Sequence, residues 1–434
     1  PESLGDIVEE EFEMLTAEER EALEVASVTG ESFAVQALVA GTESDAEGLE
    51  QTCGRLARWG QFIETRGVES WPDGSSGTRF RFRHAAFRRG VYERIAPLRR
   101  QELHLRIGER IVAAQTADLD RQAHALALHF EQGGDRERAI GYLEGAANQL
   151  CQRFADREAM GYLRHALELL EALPDSDDRA RRELELRIRL ARAATHALGY
   201  SPADMDASLE RANELAKTLD DAERLAVVLT YQSRSLSDGG RADALRALAW
   251  QHLELEPRLE DPVLRAQMHN EMAIGMFLGG LLDSAEAEHA VVRCHLGGID
   301  AGESTALLGH DLGTLGAALY ALTTWLRGQP ESARRRAAES LERAARIGEA
   351  VAHYTALVLS QMLAQLMRDP VAVRQLGARL AKCLKENGFS SPYAFFHAPQ
   401  GWLLVQDGEL AGGIARLEAG RDEARATGAC ACLS

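Results

Sequence analysis

An eight-residue pattern, Ala-x-Gly-Tyr-Leu-x-x-Ala, occurs at residues 139–146 and again at 159–166. Looser copies surround Ala285, Ala333 and Gly413. Turns that contain glycine precede four of these copies, at 133–135, 279–280, 328–330 and 407–408. Small residues at a fixed point let one helix pack closely against the next, and the turns separate successive helices. The pattern therefore predicts a helical-hairpin repeat, in which each hairpin buries its apolar face only by stacking on its neighbours.

This repeat occupies most of the chain. No strand periodicity is found from residue 119 onward, and the later copies lie further apart than the ~34 residues of an ideal tetratricopeptide repeat. We therefore predict long, degenerate hairpins that form a tetratricopeptide-like α-solenoid over residues 116–434. The chain starts at Pro1 without a methionine and stops at Ser434 within repetitive helical sequence. We expect it to be part of a longer polypeptide whose repeats continue.

The first 115 residues differ from the rest of the chain in their pattern of predicted helices and strands. Helices are predicted over 4–15, 17–29, 33–40 and 44–59, and Thr16 with Glu19 forms a capping box at the start of the second. Residues 62–65 and the alternating segment 79–83 read as strands joined by the Pro/Gly/Ser-rich stretch 71–77. Helices follow at about 84–94 and 97–115. Several helices and one hairpin predict a winged-helix domain over 1–115, so the fold class is all-α with a small β-hairpin.

Composition excludes several classes of protein. The formal charge is −18, from 49 Lys+Arg and 67 Asp+Glu, which argues against a nucleic acid or an anionic membrane as partner. The longest apolar run, residues 272–282, is about half of a bilayer span. Six scattered cysteines without a C-x-x-C pair fit a reducing cytosol, and the C-x-C of Cys430 and Cys432 reads as an incidental tail. We expect a cytoplasmic chain.

The sequence lacks the common motifs for catalysis and for nucleotide binding. Only Lys217, Lys382 and Lys385 are lysines, and none of them lies in G-x-x-x-x-G-K-[ST], so the chain has no P-loop. The sequence also lacks H-E-x-x-H, G-x-S-x-G and H-R-D. His124 and His129 are five residues apart and do not share a helical face. We predict no catalytic residue, no metal site and no cofactor within these residues.

One segment is strongly basic. Residues 79–110 hold ten arginines and three acids, which is net +7, so the rest of the chain carries −25. The segment is predicted to be an interface for an anion or for an acidic partner, and the alternative is an internal interface with the acidic solenoid. The basic interface residues that we select are Arg79, Arg81, Arg88, Arg89, Arg99 and Arg100.

His84 follows the second predicted strand directly and stands at a strand-to-helix junction. Beside Arg83, its imidazole could donate to a phosphate oxygen. Capping of its own helix, or filling of a polar gap, is the structural alternative. The sequence by itself favours that alternative.

Several segments resemble the region that follows the nucleotide-binding core in large bacterial predicted ATPases of the STAND type, which are often fused to adenylate/guanylate cyclase or DNA-binding domains. The resemblance rests on residues 15–20, 26–33, 81–85, 99–104, 127–135, 198–202 and 401–402. It implies a P-loop ATPase core upstream, which would bind ATP or ADP, and an effector domain elsewhere in the parent. In related switch ATPases a winged-helix histidine at this junction contacts the β-phosphate of ADP. The resemblance thus implies a nucleotide-phosphate latch of His84 with Arg83 in the intact parent.

The function that we predict is regulatory. The winged helix is expected to switch with the nucleotide state, and the solenoid is expected to dock a protein or peptide partner. Two alternatives remain open at the level of sequence. One is a stand-alone tetratricopeptide scaffold or adaptor, and the other is the sensor arm of a DNA-binding transcription regulator.

Overall fold

The computed structural model describes residues 11–427 except 43, 72–73, 115–121, 154, 199–204, 239–240, 299–304, 306–307, 309 and 388–393. Contacts divide the chain into two compact units. Unit 1 comprises Pro1–Arg153 and Gly161–Pro174, and unit 2 comprises Phe154–Met160 and Asp175–Ser434. The boundary predicted near residue 115 lies outside the described residues. Among the helices of the described part, none combines the length and the apolar character needed to cross a membrane.

Unit 1 contains a small antiparallel sheet with helices packed around it. Its elements are, in chain order, α1 Ala17–Thr29, β1 Ser32–Ala34, α2 Val35–Leu38, α3 Ala46–Trp59, β2 Ile63–Ser70, β3 Ser76–Phe82, α4 Ala85–Arg94, α5 Pro97–Ala114, α6 Ala123–Gln132, α7 Arg136–Gln152 and, from its sixth residue onward, α8 Asp156–Glu171. Helix α1 starts with the predicted capping box, in which Thr16 and Glu19 bond reciprocally. The helix predicted over 4–15 falls largely outside the described residues.

The sheet has three strands in the order β1-β3-β2. The predicted pairing of β2 with β3 is present and antiparallel. The predicted helix 33–40 is wrong at its start, because residues 32–34 form β1 and pair with Arg79, Phe80 and Arg81. That pairing satisfies the backbone hydrogen-bonding groups of β1. The partner strand lies nearly fifty residues further along the chain, so local periodicity cannot reveal the pairing. Phe33, Phe80 and Phe82 are buried and pack on one another, and they anchor the core of unit 1.

Unit 2 consists of helices throughout its described part. They are α9 Asp177–Leu198, α10 Asp206–Thr218, α11 Ala222–Asp238, α12 Ala242–Leu255, α13 Pro262–Leu278, α14 Leu282–His295, α15 Leu312–Leu326, α16 Pro330–Ile347, α17 Ala350–Leu366, α18 Pro370–Asn387, α19 Ala394–Gln406 and α20 Leu410–Thr427. From α9 to α20 each helix packs on the next one, and α17 also packs on α15 and α19. This arrangement is the predicted stack of hairpins.

The small residues of the repeat lie where the helices approach each other. Ala139 and Ala159, together with Ala285 and Ala333, are fully buried. At Gly413 an added Cβ would lie 2.8 Å from the carbonyl oxygen of Gly401, which leaves no room for a side chain. The sequence pattern therefore marks helix-to-helix contacts.

The turns at Gly280, Gly328, Arg368 and Gly408 share one backbone geometry. A residue in the left-handed region ends the first helix, and the next N–H donates to the carbonyl five residues back, which is a Schellman motif. Gly328, Arg368 and Gly408 occupy this position at 40-residue intervals, with φ of 77°, 58° and 89°. Arg368 is therefore strained, because a Cβ disfavours this conformation by roughly 1–2 kcal/mol.

We expect Arg368→Gly to stabilise unit 2 by about 0.5–1 kcal/mol, since relief of strain outweighs the extra entropy of glycine in the unfolded chain. The measurement is the urea midpoint of unfolding. Arg368→Ala removes the same exposed side chain but keeps the Cβ, and it should leave the midpoint nearly unchanged. A glycine variant less stable than the alanine variant would contradict the assignment of strain.

Candidate functional site

The predicted latch residue His84 lies at the surface of unit 1, where β3 ends and α4 begins. It occupies the N-cap position of α4, and its side chain makes no capping hydrogen bond. The imidazole is exposed, and its ring centroid lies 5.8 Å from that of Phe87. Neither structural alternative, capping or filling a polar gap, accounts for this side chain. The ring can therefore meet a ligand without first breaking a cap.

Arg83 is exposed beside His84 and donates to the carbonyl of Gly60. That carbonyl belongs to the left-handed C-cap of α3, which precedes β2. The guanidinium is thus held beside the end of the central strand β3 by a backbone acceptor. It keeps further N–H groups that a phosphate could use, because a guanidinium carries five donors.

The arginines of the basic segment are engaged with groups of unit 1 itself. On β3, Arg81 reaches Glu31 through two nitrogens at 3.0 and 2.6 Å, and Arg79 donates to the Ser32 hydroxyl at 2.9 Å. On α4, Arg89 pairs with Glu93 at 2.7 Å. The i, i+4 pair of Arg89 with Glu93 is visible in the sequence, but the partners of Arg81 and Arg79 lie about fifty residues away and are not.

Three further arginines of this segment bond to backbone carbonyls. Arg88 donates to the carbonyl of residue 27, Arg99 to that of residue 41, and Arg100 to that of residue 95. These bonds join helices and turns within unit 1. Much of the +7 segment therefore stabilises its own unit, whereas His84 and Arg83 stand at the exposed strand-to-helix junction.

A buried chain of hydrogen bonds links α4, α5 and α6. The Tyr92 hydroxyl lies 2.9 Å from Nε2 of His104, and Nδ1 of His104 lies 3.1 Å from Nδ1 of His129. Burial lowers the pKa of His104 to about 3, with smaller contributions from His129, Arg100 and Arg88. Burial and Arg88 lower the pKa of His129 to about 4. Both imidazoles are therefore neutral, and one must donate to the other.

Unit 2 holds a row of buried polar side chains on one face of α13. Gln267, Asn270 and Glu271 are spaced i, i+3 and i+4, and all three are buried. The Gln267 amide nitrogen donates to Glu271 at 2.6 Å, but its carbonyl oxygen has no partner in the described part of the chain. Both the nitrogen and the oxygen of the Asn270 amide likewise lack a partner there. Such groups are costly, since an unpaired buried donor or acceptor destabilises by about 1–3 kcal/mol.

The same junction of helices contains an aromatic and basic cluster. His289 of α14 stacks on Tyr320 of α15 at 5.0 Å, and the Arg336 guanidinium of α16 lies 3.5 Å from the Tyr320 ring centroid. Gly316 of α15 packs against the polar row, because a Cβ there would lie 3.6 Å from the Asn270 oxygen and 3.5 Å from Val292 of α14. Backbone and side-chain packing thus enclose the Asn270 amide.

Sequence reasoning missed this polar row. Gln267, Asn270 and Glu271 stand in a largely apolar helix, and no motif singles them out. The available signal was the i, i+3, i+4 spacing of three polar residues beside the longest apolar run of the chain. Without the packing of α13 against its neighbours, that spacing reads as a solvated face.

Comparison with known proteins gives few relatives in sequence. No protein-family model matches the chain. An uncharacterized protein of Rhizobium meliloti (strain 1021) is 24% identical over 357 residues, which are 82% of this chain and 35% of the relative. The chain thus spans about a third of the length of that relative.

Solved structures show the similarity in fold. The chain is similar to the Rap conjugation gene regulator of plasmid pLS20 in complex with the Phr* peptide, with a TM-score of 0.51, 14% identity, and coverage of 75% of this chain and 90% of that one. It is also similar to a Rap protein complexed with competence and sporulation factor, with a TM-score of 0.50, 11% identity, and coverage of 79% and 93%.

A STAND signal-transduction ATPase with a tetratricopeptide-repeat sensor, from Pyrococcus horikoshii, matches over 98% of this chain and 65% of its own, at 13% identity and a TM-score of 0.40. A TM-score of that size does not establish a common fold. The two Rap structures do bear on the fold, and the chain has a helical-repeat architecture like theirs.

Proposed function

We propose that this chain is the regulatory and protein-interaction arm of a cytoplasmic, multidomain signalling ATPase of the STAND type, and that unit 2 is its sensor for a peptide or protein segment. The observation that carries the proposal is the buried, unpartnered amide of Asn270. An amide that can both donate and accept is suited to a backbone peptide group, which presents one N–H and one C=O. The chain itself contributes no catalysis in this proposal.

The fold supports a peptide as the ligand class. The similar Rap regulator was solved in complex with the Phr* peptide, which supports a peptide as the ligand in our proposal. Because Asn270 and Gln267 are fully buried, α13 and α15 must separate to admit the incoming segment in our proposal. The segment then bonds Asn270 and the free oxygen of Gln267, and these hydrogen bonds offset the desolvation cost of both groups. The experiment is selection of a random peptide library on the immobilised chain, with Asn270→Leu as the matched variant.

Unit 1 supplies the switch in this proposal. Helices α1–α3 with the three-stranded sheet are taken as a winged helix, whose β2–β3 hairpin is the wing. His84 and Arg83 would contact a phosphate of the nucleotide that is bound to a P-loop core of the parent. Closure would then be favoured by ADP, and partner binding to unit 2 would favour the open state.

We expect His84→Ala in the parent protein to weaken ADP binding by about tenfold, because a hydrogen bond to a charged group contributes about 1.5–3 kcal/mol. Basal output should rise, since the closed state loses a contact. The measurement is ADP affinity by calorimetry together with basal ATP hydrolysis. Arg89→Ala is the control, because Arg89 is exposed on the adjacent helix and pairs with Glu93. Unchanged ADP affinity and unchanged output in His84→Ala would contradict the latch.

A further inference from the structure

A second group of side chains in unit 2 has a different chemistry, and one of its members, His269, is the chain neighbour of the sensor residue Asn270. Glu256 begins the 3₁₀ helix Glu256–Arg258 that follows α12, His269 lies in the middle of α13, and His295 is the last residue of α14. Each offers one ligand atom, and these atoms lie within 4.8 Å of one another. The imidazoles of His269 and His295 are nearly parallel, with centroids 5.6 Å apart.

The orientation of His269 is set by a carboxylate behind it. Nδ1 of His269 lies 2.6 Å from an oxygen of Glu288, and both side chains are mostly buried, with 14% and 18% of their surface exposed. A carboxylate on one imidazole nitrogen fixes the tautomer and presents the other nitrogen to a metal, as is usual for metal-binding histidines. His269 is therefore oriented with Nε2 available.

We propose that Glu256, His269 and His295 form a binding site for a divalent transition metal of the zinc class. Two imidazoles and one carboxylate form a donor set that suits such ions, whereas Ca²⁺ and Mg²⁺ prefer oxygen alone. Ligand atoms around tetrahedral zinc lie about 3.3 Å apart, given bonds of about 2.0–2.1 Å. The three ligand atoms lie within 4.8 Å of one another, so metal binding requires them to approach by up to about 1.5 Å.

The charge around the site is compatible with a cation. Glu256 and Glu288 contribute two carboxylates, and Arg265 is the opposing charge, with its Nε 3.8 Å from Glu256. A metal on Glu256 competes with this long and weak ion pair. Three protein ligands leave a position for water or for a group from a partner.

The site joins three consecutive elements of the helical stack. Its ligands are separated by 13 and 26 residues along the chain, so no short metal-binding motif reveals them. A bound ion would tie α13 to the ends of α12 and α14, and it would stabilise the folded unit by mass action. The site does not depend on the proposed function, because neither the sensor residues nor His84 belong to it.

The test is zinc binding by the full chain, tag-free and stripped with chelator, measured by competition with a chromophoric chelator and by thermal unfolding. We expect one zinc ion per chain and a higher unfolding midpoint with zinc. His269→Gln and His295→Gln should each weaken binding at least tenfold. Glu288→Gln, which removes only the orienting carboxylate, should weaken it about tenfold while the three ligands remain.

Two controls separate this site from other zinc ligands. His353→Gln replaces another partly buried histidine of unit 2 and should leave zinc affinity unchanged. Cys430→Ser with Cys432→Ser removes the C-x-C pair and should also leave it unchanged. Circular dichroism confirms the fold of each variant, and the two histidine variants are independent tests. Absence of zinc binding, or binding that survives both histidine variants, would overturn the proposal.

Discussion

Asn270→Leu is expected to make the protein more stable, with an unfolding midpoint raised by a few degrees. The wild-type amide is fully buried, and neither its nitrogen nor its oxygen has a partner in the described structure. Replacement by an apolar side chain of the same branched shape removes two desolvated groups, each of which costs about 1–3 kcal/mol. Stabilisation by a substitution in a buried position is unusual, because most core changes destabilise. The expected sign is therefore diagnostic.

Two comparison variants sharpen this prediction. Asn270→Ala removes the amide without added volume, which separates relief of the polar group from overpacking by leucine. Asn213→Leu is the matched control, because the Asn213 amide donates to Gln232 at 3.0 Å. The control should not gain stability, since it breaks a made hydrogen bond. Loss of stability in both Asn270 variants would show that the amide is paired in the folded protein.

Acid is expected to destabilise unit 1 steeply below pH 6.5, because His104 and His129 are buried in their neutral forms. Their pKa values are about 3 and 4 when folded, against an ordinary value near 6.5 when unfolded. Between these values the unfolded chain binds protons that the folded chain does not. Stability contributed by the pair is therefore fully present above about pH 6.5 and is lost as the pH falls through the folded pKa values of about 4 for His129 and about 3 for His104.

The expected loss is on the order of 2–3 kcal/mol per histidine by pH 4.5. The groups that face the pair include Tyr92 and the cations Arg88 and Arg100, which also oppose protonation. In unit 2, burial similarly lowers the pKa of His252 and of His289 to about 4. The pH dependence of the whole chain thus has several sources, and variants of the pair are needed to isolate its share.

The measurement is the free energy of unfolding of unit 1, followed by denaturant titration between pH 7.5 and pH 4.5. His129→Asn keeps a polar partner for Nδ1 of His104 but cannot titrate, so it should flatten the pH slope. His165→Gln is the control of opposite sign, because hydrogen bonding to Glu131 raises the pKa of His165. Stability from His165 is present below its unfolded pKa and is lost as the pH rises through the folded value, so that variant should steepen the acid loss. An unchanged slope in His129→Asn would contradict a buried neutral pair.

Local signals in the sequence predicted much of the architecture. These signals depend on residues that are close together in the chain or on a regular spacing along one element. They are the capping box at Thr16 and Glu19, the alternating segment 79–83 and the small residues of the repeat. Strand β1 was missed because its partner lies nearly fifty residues away in sequence. Local patterns carry no information about that pairing.

The candidate sites were less accessible from sequence. His84 could be selected from its position after a strand, but its lack of a capping bond is a property of the folded chain. The predicted basic interface stays a prediction, and the partner of an arginine such as Arg81 could not be assigned, because Glu31 is fifty residues away in sequence. Asn270 and the group of Glu256, His269 and His295 are brought together by packing of separate helices, so only the structure reveals them.

The most direct test of the sensor proposal is selection of a phage-displayed random peptide library on the immobilised full chain, in parallel with Asn270→Leu and Asn213→Leu. We predict that related peptides are enriched on the wild type and on Asn213→Leu, and that they bind Asn270→Leu at least tenfold more weakly although that variant is more stable. Absence of enrichment on the wild type, or equal binding to Asn270→Leu, would contradict the assignment of unit 2 as a peptide sensor.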